Sequence, residues 1–410
     1  MEAMTNERGG FASSVASRIG TVFGRGGSKG VRKPGDHGFL SNLYLGNLVP
    51  VLLLVLYGTV VIWSASLTIA EASFPRHLAG IALGLVAAAF VWRWDYRVMQ
   101  TSDTVILIAI IVLILLPKVP GFGYSAKGMT GWVRIPLIGF RFQPSEIVKV
   151  LTIFLMASLG AQYNGKIELL GDYVKLCGVL AVIFGLMITQ DLGTGLIILV
   201  VGASIIIVSG ARRSWVLVTI GIIVVGAALV VGLSLSDRVP QAFKLLKDYQ
   251  LNRLIVFVDP SVDPTGDGYN LQQAKIAVGS GGFFGKGIGN ATQAGSGFLP
   301  EAHTDFVFAL LAEEFGFAGA VVLMLLFAWA ILSTVSLAQR TEAPYAKLIL
   351  AGVATMWTFQ LLQNVGMCIG IMPITGIPLP FISLGSSSMV VQLTTAGIVQ
   401  SVWSHRPKSA

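Results

Sequence analysis

The residues best suited to chemistry lie in Pro300-Glu301-Ala302-His303-Thr304-Asp305-Phe306, where a polar stretch of about seventy residues meets a long apolar run. A carboxylate at such a boundary has water on one side and low dielectric on the other, so it can hold a substrate while its proton affinity is tuned. Asp305 is the first candidate for a catalytic residue. A plainer reading is an acidic group in the first turn of a long helix, complementing the positive dipole end. Neighbouring Glu301 and His303, the size of the polar loop, and Glu313 and Glu314 deeper in the same run shift the balance toward chemistry.

Other polar groups stand where a bilayer would penalise them. Glu146 and Lys149, after Gln143-Pro144-Ser145, have the i,i+3 spacing of one helix face and can neutralise each other. Pro144 suits a first helical turn and Glu146 complements the dipole there, so a structural ion pair is one reading. A substrate-facing pair that aligns the catalytic carboxylate is the other. Gln190-Asp191-Leu192-Gly193-Thr194-Gly195 reads as a tight turn with Asp191 capping the next helix. Asn364 could bond across helices, and Glu313 and Glu314 are expected to face the bundle interior and mark a polar cavity.

The run from Gly279 to Gly287 invites a phosphate-loop reading, but Ser280 stands where the first glycine of G-x-x-x-x-G-K-[ST] would be, and Gly287 replaces the hydroxyl residue. Its backbone amides, with Lys275 and Lys286, could still bind a diphosphate.

The elements that must position these groups follow from composition. The chain has 410 residues, 54% hydrophobic and 12% charged, with mean hydropathy +0.78. Soluble domains carry about 25% charged residues, so this is an all-α polytopic membrane bundle. Ten candidate spans are expected near 45–66, 76–95, 102–117, 143–161, 172–190, 194–210, 214–234, 305–336, 346–371 and 383–403. Residues 1–44 form a basic tail with little hydrophobic periodicity, expected to be disordered, and 404–410 a short second tail. No cleavable signal peptide is evident, since the first apolar run begins near Leu43. Cys177 and Cys368 sit in separate apolar runs with no metal-binding spacing. The net charge of +8 gathers in no aromatic-interleaved basic face, so nucleic acid is excluded as a partner.

Arg93, Arg97, Lys166, Lys175, Arg212, Arg213, Arg340, Lys347, Arg406 and Lys408 cluster at one set of loop ends. The positive-inside rule makes that side, and both termini, cytoplasmic. Loops 118–142 and 235–304 then lie outside. The second is too long for a simple turn and should be partly folded or functional.

Five ordered stretches together resemble the SEDS family of membrane glycosyltransferases, named for shape, elongation, division and sporulation. They are Phe142 to Lys149, Gln190 to Thr194, Gln273 to Gly282, Leu299 to Phe306, and the run from Asn364 to Ser388. The resemblance spans about 45–403. Gly285-Lys286-Gly287 with Thr292-Gln293, and Asn364 to Met367 before Pro373 to Pro380, resemble the elongation member more than the division member. Two departures bear on turn geometry: Gln190 precedes Asp191 where a proline is usual, and Ser386 stands where a second glycine is common.

The resemblance implies polymerisation of lipid II, the undecaprenyl-diphosphate-linked disaccharide pentapeptide, into glycan strands with inversion, Asp305 acting as general base. It implies substrate contacts from Glu146, Lys149, His303 and Trp132, whose indole could stack on a sugar or anchor its loop. Lys127, Arg134, Arg141, Lys275 and Lys286 are candidates to stabilise the diphosphate, a role a divalent cation (Mg or Mn) could share. The implied partners are membrane lipids and a class B penicillin-binding protein. A lipid II flippase and a scaffold that only recruits a transpeptidase remain alternatives at this point.

Overall fold

In the computed structural model of the protein, the described residues are 42–119, 123–126, 129–134, 141–235, 248–295 and 297–406. Most of the basic tail and Lys127 fall outside them. Ten helices coincide with the ten expected spans: α1 (Leu45–Thr68), α2 (Phe74–Arg93), α3 (Asp103–Leu115), α4 (Pro144–Ala161), α5 (Leu170–Ile188), α6 (Leu192–Val208), α7 (Arg213–Leu235), α10 (Val307–Arg340), α11 (Pro344–Ile369) and α12 (Ser386–Ser404). Seven of these are long and apolar enough to cross a membrane, and α6 is a shorter apolar helix.

The two large loops are partly folded. The first carries a three-stranded antiparallel sheet, β1 (Gly123–Ala126), β2 (Met129–Arg134) and β3 (Arg141–Phe142). This short sheet is a minor addition to an all-α bundle: outside the bilayer its edges can be left to water. The second loop holds α8 (Asp248–Val258) and α9 (Asp267–Ser280).

Helices α4 and α11 are mostly buried, while α7 buries almost none of its length. The bundle is thus centred on α4 and α11, with α4 packed on α3, α6 and α11, and α11 on α6 and α10. Apolar side chains such as Leu217, Ile222 and Val225 on α7 face outward, as lipid requires of a span's surface. Helix α2 packs closely along α12, where a side chain at Gly397 would meet the backbone of Ala88. Small residues allow such approach where lipid supplies no hydrophobic drive.

Helix α10 is broken at Gly316, whose φ of 65° and ψ of −164° are not helical. The break strands backbone groups that lipid cannot satisfy, so they must bond elsewhere in the protein. Residues 282–287 supply the partners. Phe317 N donates to Gly282 O at 2.9 Å and Ala318 N to Phe283 O at 3.0 Å, while Lys286 N and Gly287 N donate to Glu313 O and Glu314 O at 3.0 and 2.9 Å. The expected eighth span is thus two helical pieces with a loop wedged into the joint.

Candidate functional site

Asp305 does not lie in the first turn of a helix: α10 begins at Val307, and Asp305 belongs to the turn before it. Glu301, at φ 56°, starts that turn, and its carbonyl accepts the amides of Thr304, Asp305 and Phe306, each at 3.1 Å. Further bonds hold the turn from outside. Asn364 Nδ2 on α11 donates to Asp305 O at 2.7 Å and to Ile377 O at 2.9 Å. Ser383 Oγ donates to Thr304 O at 2.6 Å, and Leu384 N to His303 O at 2.9 Å. The backbone of the motif is therefore clamped between α11 and the α11–α12 connection, leaving the half-buried Asp305 carboxylate positioned by a rigid frame.

That carboxylate lies over Gly376. A methyl-sized group placed on Gly376 would stand 3.4 Å from Asp305 Oδ2 and 3.9 Å from Arg253 Nη1. A carboxylate and a guanidinium thus flank one backbone position with φ 70°. Arg253 comes from α8, where its Nε is 3.4 Å from Asp267 Oδ2 on α9. No local signal marks Arg253 as functional, because Leu251-Asn252-Arg253 carries no motif. Its relevance arises only when α8 folds onto the end of the bundle.

At the same end, Asp191 caps α6 as expected, accepting from Thr194 N at 3.1 Å and Thr194 Oγ1 at 2.7 Å. Gln143 Nε2 reaches Asp191 Oδ2 at 3.5 Å. Gln190 uses its side-chain amide to hold Ile114 O, tying the α5–α6 turn to the end of α3. Lys275 stretches along Gly370, just past the C-terminus of α11, where a cation complements the helix dipole. His303 is buried.

The Glu146–Lys149 pair forms at 2.9 Å with both side chains buried in α4. Paired charges can occupy the bundle centre where single ones would be expelled. Trp132 sits half-buried on β2, opposite Tyr124, and Arg134 and Arg141 are cross-strand partners of β2 and β3. The hairpin contacts α4.

Two expectations change. Lys286 is not a free ammonium: its Nζ lies 2.7 Å from Glu313 Oε1 and 2.6 Å from Thr292 Oγ1. Glu313 also accepts from Thr292 N, Thr292 Oγ1, Gln293 N and Ala294 N between 2.9 and 3.2 Å. It is a fastener for residues 286–294, and Glu314 a second one, taking Ser64 Oγ at 2.5 Å and Gly289 N at 3.2 Å. The diphosphate reading of the glycine-rich loop weakens for the same reason. The amides of Gly285, Lys286, Gly287 and Gly289 are all engaged within the protein. Among the described residues no three His, Cys, Asp or Glu side chains converge to hold a metal ion, and both cysteines are free.

The family model named for FtsW, RodA and SpoVE, described as "Cell cycle protein", matches residues 46–408. The peptidoglycan glycosyltransferase MrdB of Escherichia coli (strain K12) is 33% identical over 362 residues, 88% of this chain and 93% of the relative. A probable peptidoglycan glycosyltransferase FtsW of Trichlorobacter lovleyi is 31% identical over 364 residues, 87% of this chain and 91% of that protein. Among solved structures, a chain of a peptidoglycan synthase complex that coordinates polymerization and crosslinking superposes with TM-score 0.73 at 26% identity, covering 90% of this chain and 99% of that one.

Proposed function

The chain belongs to the FtsW, RodA and SpoVE family of membrane proteins, and from that membership and the frame around Asp305 we propose that it is a peptidoglycan glycosyltransferase acting on lipid II. The observation that carries the reading is the clamped turn that sets the Asp305 carboxylate beside Gly376 and Arg253. Catalysis by a positioned base requires that its backbone not drift. Here it is fixed from two sides by α11 and the α11–α12 connection.

In this mechanism Asp305 accepts the proton of the acceptor sugar's 4-hydroxyl. The oxygen attacks the anomeric carbon of the donor, the glycosidic bond forms with inversion, and the bond to the lipid diphosphate breaks, its electron pair leaving with the diphosphate. A positioned base contributes roughly 10²–10⁴-fold. Stabilising the leaving diphosphate supplies a further part, and Arg253, beside Asp305, is a cation placed for it, with Lys275 a second candidate. A divalent cation could share this role by neutralising charge on the leaving diphosphate. The buried Glu146–Lys149 pair orders the helix bearing Gln143, which reaches toward Asp191. The active end faces the outside of the cytoplasmic membrane, both termini lie in the cytoplasm, and a class B penicillin-binding protein is the partner.

The test is polymerisation of purified lipid II by the wild-type protein and Asp305→Ala, with the partner present and divalent cation titrated. Loss of glycan product by a correctly folded variant supports the assignment. Normal product from that variant would remove Asp305 from the mechanism, and retained cell-shape function would favour a scaffold.

A further inference from the structure

The helices whose near ends carry Asp305, Asp191 and Asn364 have far ends that meet around a second feature. A cleft of about 300 Å³ opens there between the α4–α5 turn, the end of α6 and the α10–α11 connection. Arg340, Thr341, Glu342 and Lys347 line its mouth, with Val208 and Leu348 as apolar wall. This is the end at which lysines and arginines gather, the side of the membrane where basic groups face lipid headgroups.

Several other cations at this end are committed. Lys166 pairs with Glu168 at 2.8 Å, Arg97 Nη2 donates to His405 O at 2.8 Å, and Arg212 lies 5.0 Å from the centre of the Trp215 ring. Among the described residues, by contrast, Arg340 and Lys347 have no ion pair or side-chain hydrogen bond. Both side chains are exposed at the cleft. The first turn of α11 opens at Pro344 beside them, adding the positive end of a helix to two cations unpaired among the described residues. Apolar wall and cations in one cleft match a molecule with a charged phosphate and a hydrocarbon continuation.

We propose that this cleft binds the phosphate of an anionic phospholipid in the leaflet on the basic side, held by Arg340 and Lys347 and opposed by Glu342. The site is independent of the glycosyltransferase reading and stands or falls separately. The shared chemistry is a phosphate, so a soluble phosphate is the competing source.

The test uses full-length protein in detergent, with native mass spectrometry of retained lipid against added phosphatidylglycerol, phosphatidylcholine or inorganic phosphate. Each basic group near a membrane surface is worth about a fivefold change in affinity, so R340Q/K347Q should weaken phosphatidylglycerol retention about thirtyfold. Phosphatidylcholine binding should barely change. Glu342→Gln should act in the opposite sense and tighten phosphatidylglycerol about fivefold. All three side chains are outside the core, and an unchanged melting profile in lipid-free detergent checks folding. Equal retention by wild type and R340Q/K347Q overturns the site. Displacement of phosphatidylglycerol by equimolar inorganic phosphate overturns the lipid as its occupant.

Discussion

Removing the Glu313 carboxylate should cost far more than removing the Lys286 ammonium paired with it, and the difference reports what that pair is for. Glu313 is fully buried and accepts from the Lys286 ammonium, the Thr292 hydroxyl and the amides of Thr292, Gln293 and Ala294. Glu313→Ala strands a cation and three amides together. Breaking a buried pair from one side costs about 3–5 kcal/mol, with the orphaned amides part of that figure. Lys286→Ala leaves the carboxylate with its other donors intact, and the lysine is 27% exposed, so about 1–2 kcal/mol is expected. The gap of roughly 2–3 kcal/mol corresponds to about a 30- to 150-fold difference in how often residues 286–294 open. Hydrogen exchange of those amides in the full-length protein measures it directly, alongside lipid II polymerisation. Equal opening in the two variants would refute the fastener reading. So would a Lys286→Ala protein of unchanged stability whose KM for lipid II rises tenfold, since the ammonium would then be acting on substrate.

Four further outcomes are expected. Asp305→Ala should lower polymerisation by roughly 10²–10⁴-fold with no loss of thermal stability, read from product gels and unfolding curves together. Asn364→Ala leaves the carbonyls of Asp305 and Ile377 without their donor; a cost of about 1–3 kcal/mol should appear mainly in kcat, whereas a pure KM effect would place Asn364 on the substrate. Gly376→Ala forces a side chain into φ 70° and within 3.4 Å of Asp305 Oδ2. Backbone strain of about 1–2 kcal/mol and a crowded carboxylate should lower kcat, and a wild-type kcat from this variant would show that the space over Gly376 is not used. In the α8–α9 connection, bonds from Asn252 and from the amides of Asp267 and Gly266 hold the Asp263 carboxyl below its ordinary range. A depressed folded value means the stabilisation is present above the usual carboxylate pKa and lost as pH falls through the lower one; protease susceptibility of this segment should rise only in that acid range, and Asp263→Asn should abolish the rise.

Much of the site was legible because its signals are local. The i,i+3 spacing of Glu146 and Lys149 and the Asp191 cap on Thr194 depend only on helix geometry, and both appear as read. Asp305 was legible as a boundary residue, though the helix starts two residues later because the turn is closed by the Glu301 carbonyl. Lys286 was legible as a loop cation but not as a paired one. A lysine in a glycine-rich outer loop looks available for substrate until α10 breaks at Gly316 and the loop inserts beside Glu313.

The amino-acid sequence by itself determined the membrane class, the ten helices and their boundaries to within a few residues, because apolar runs of bilayer length have few other ways to satisfy their backbone. It also marked the carboxylate at the edge of the large loop. Only the tertiary structure decided which of these charges come together and which are tied into the scaffold. That division depends on long-range partners: Arg253 is brought beside Asp305 by α8, Asn364 by α11, and Lys286 is paired with a glutamate twenty-seven residues away. Side-chain charge is written in the sequence, but whether a charge is already neutralised is a property of the folded chain.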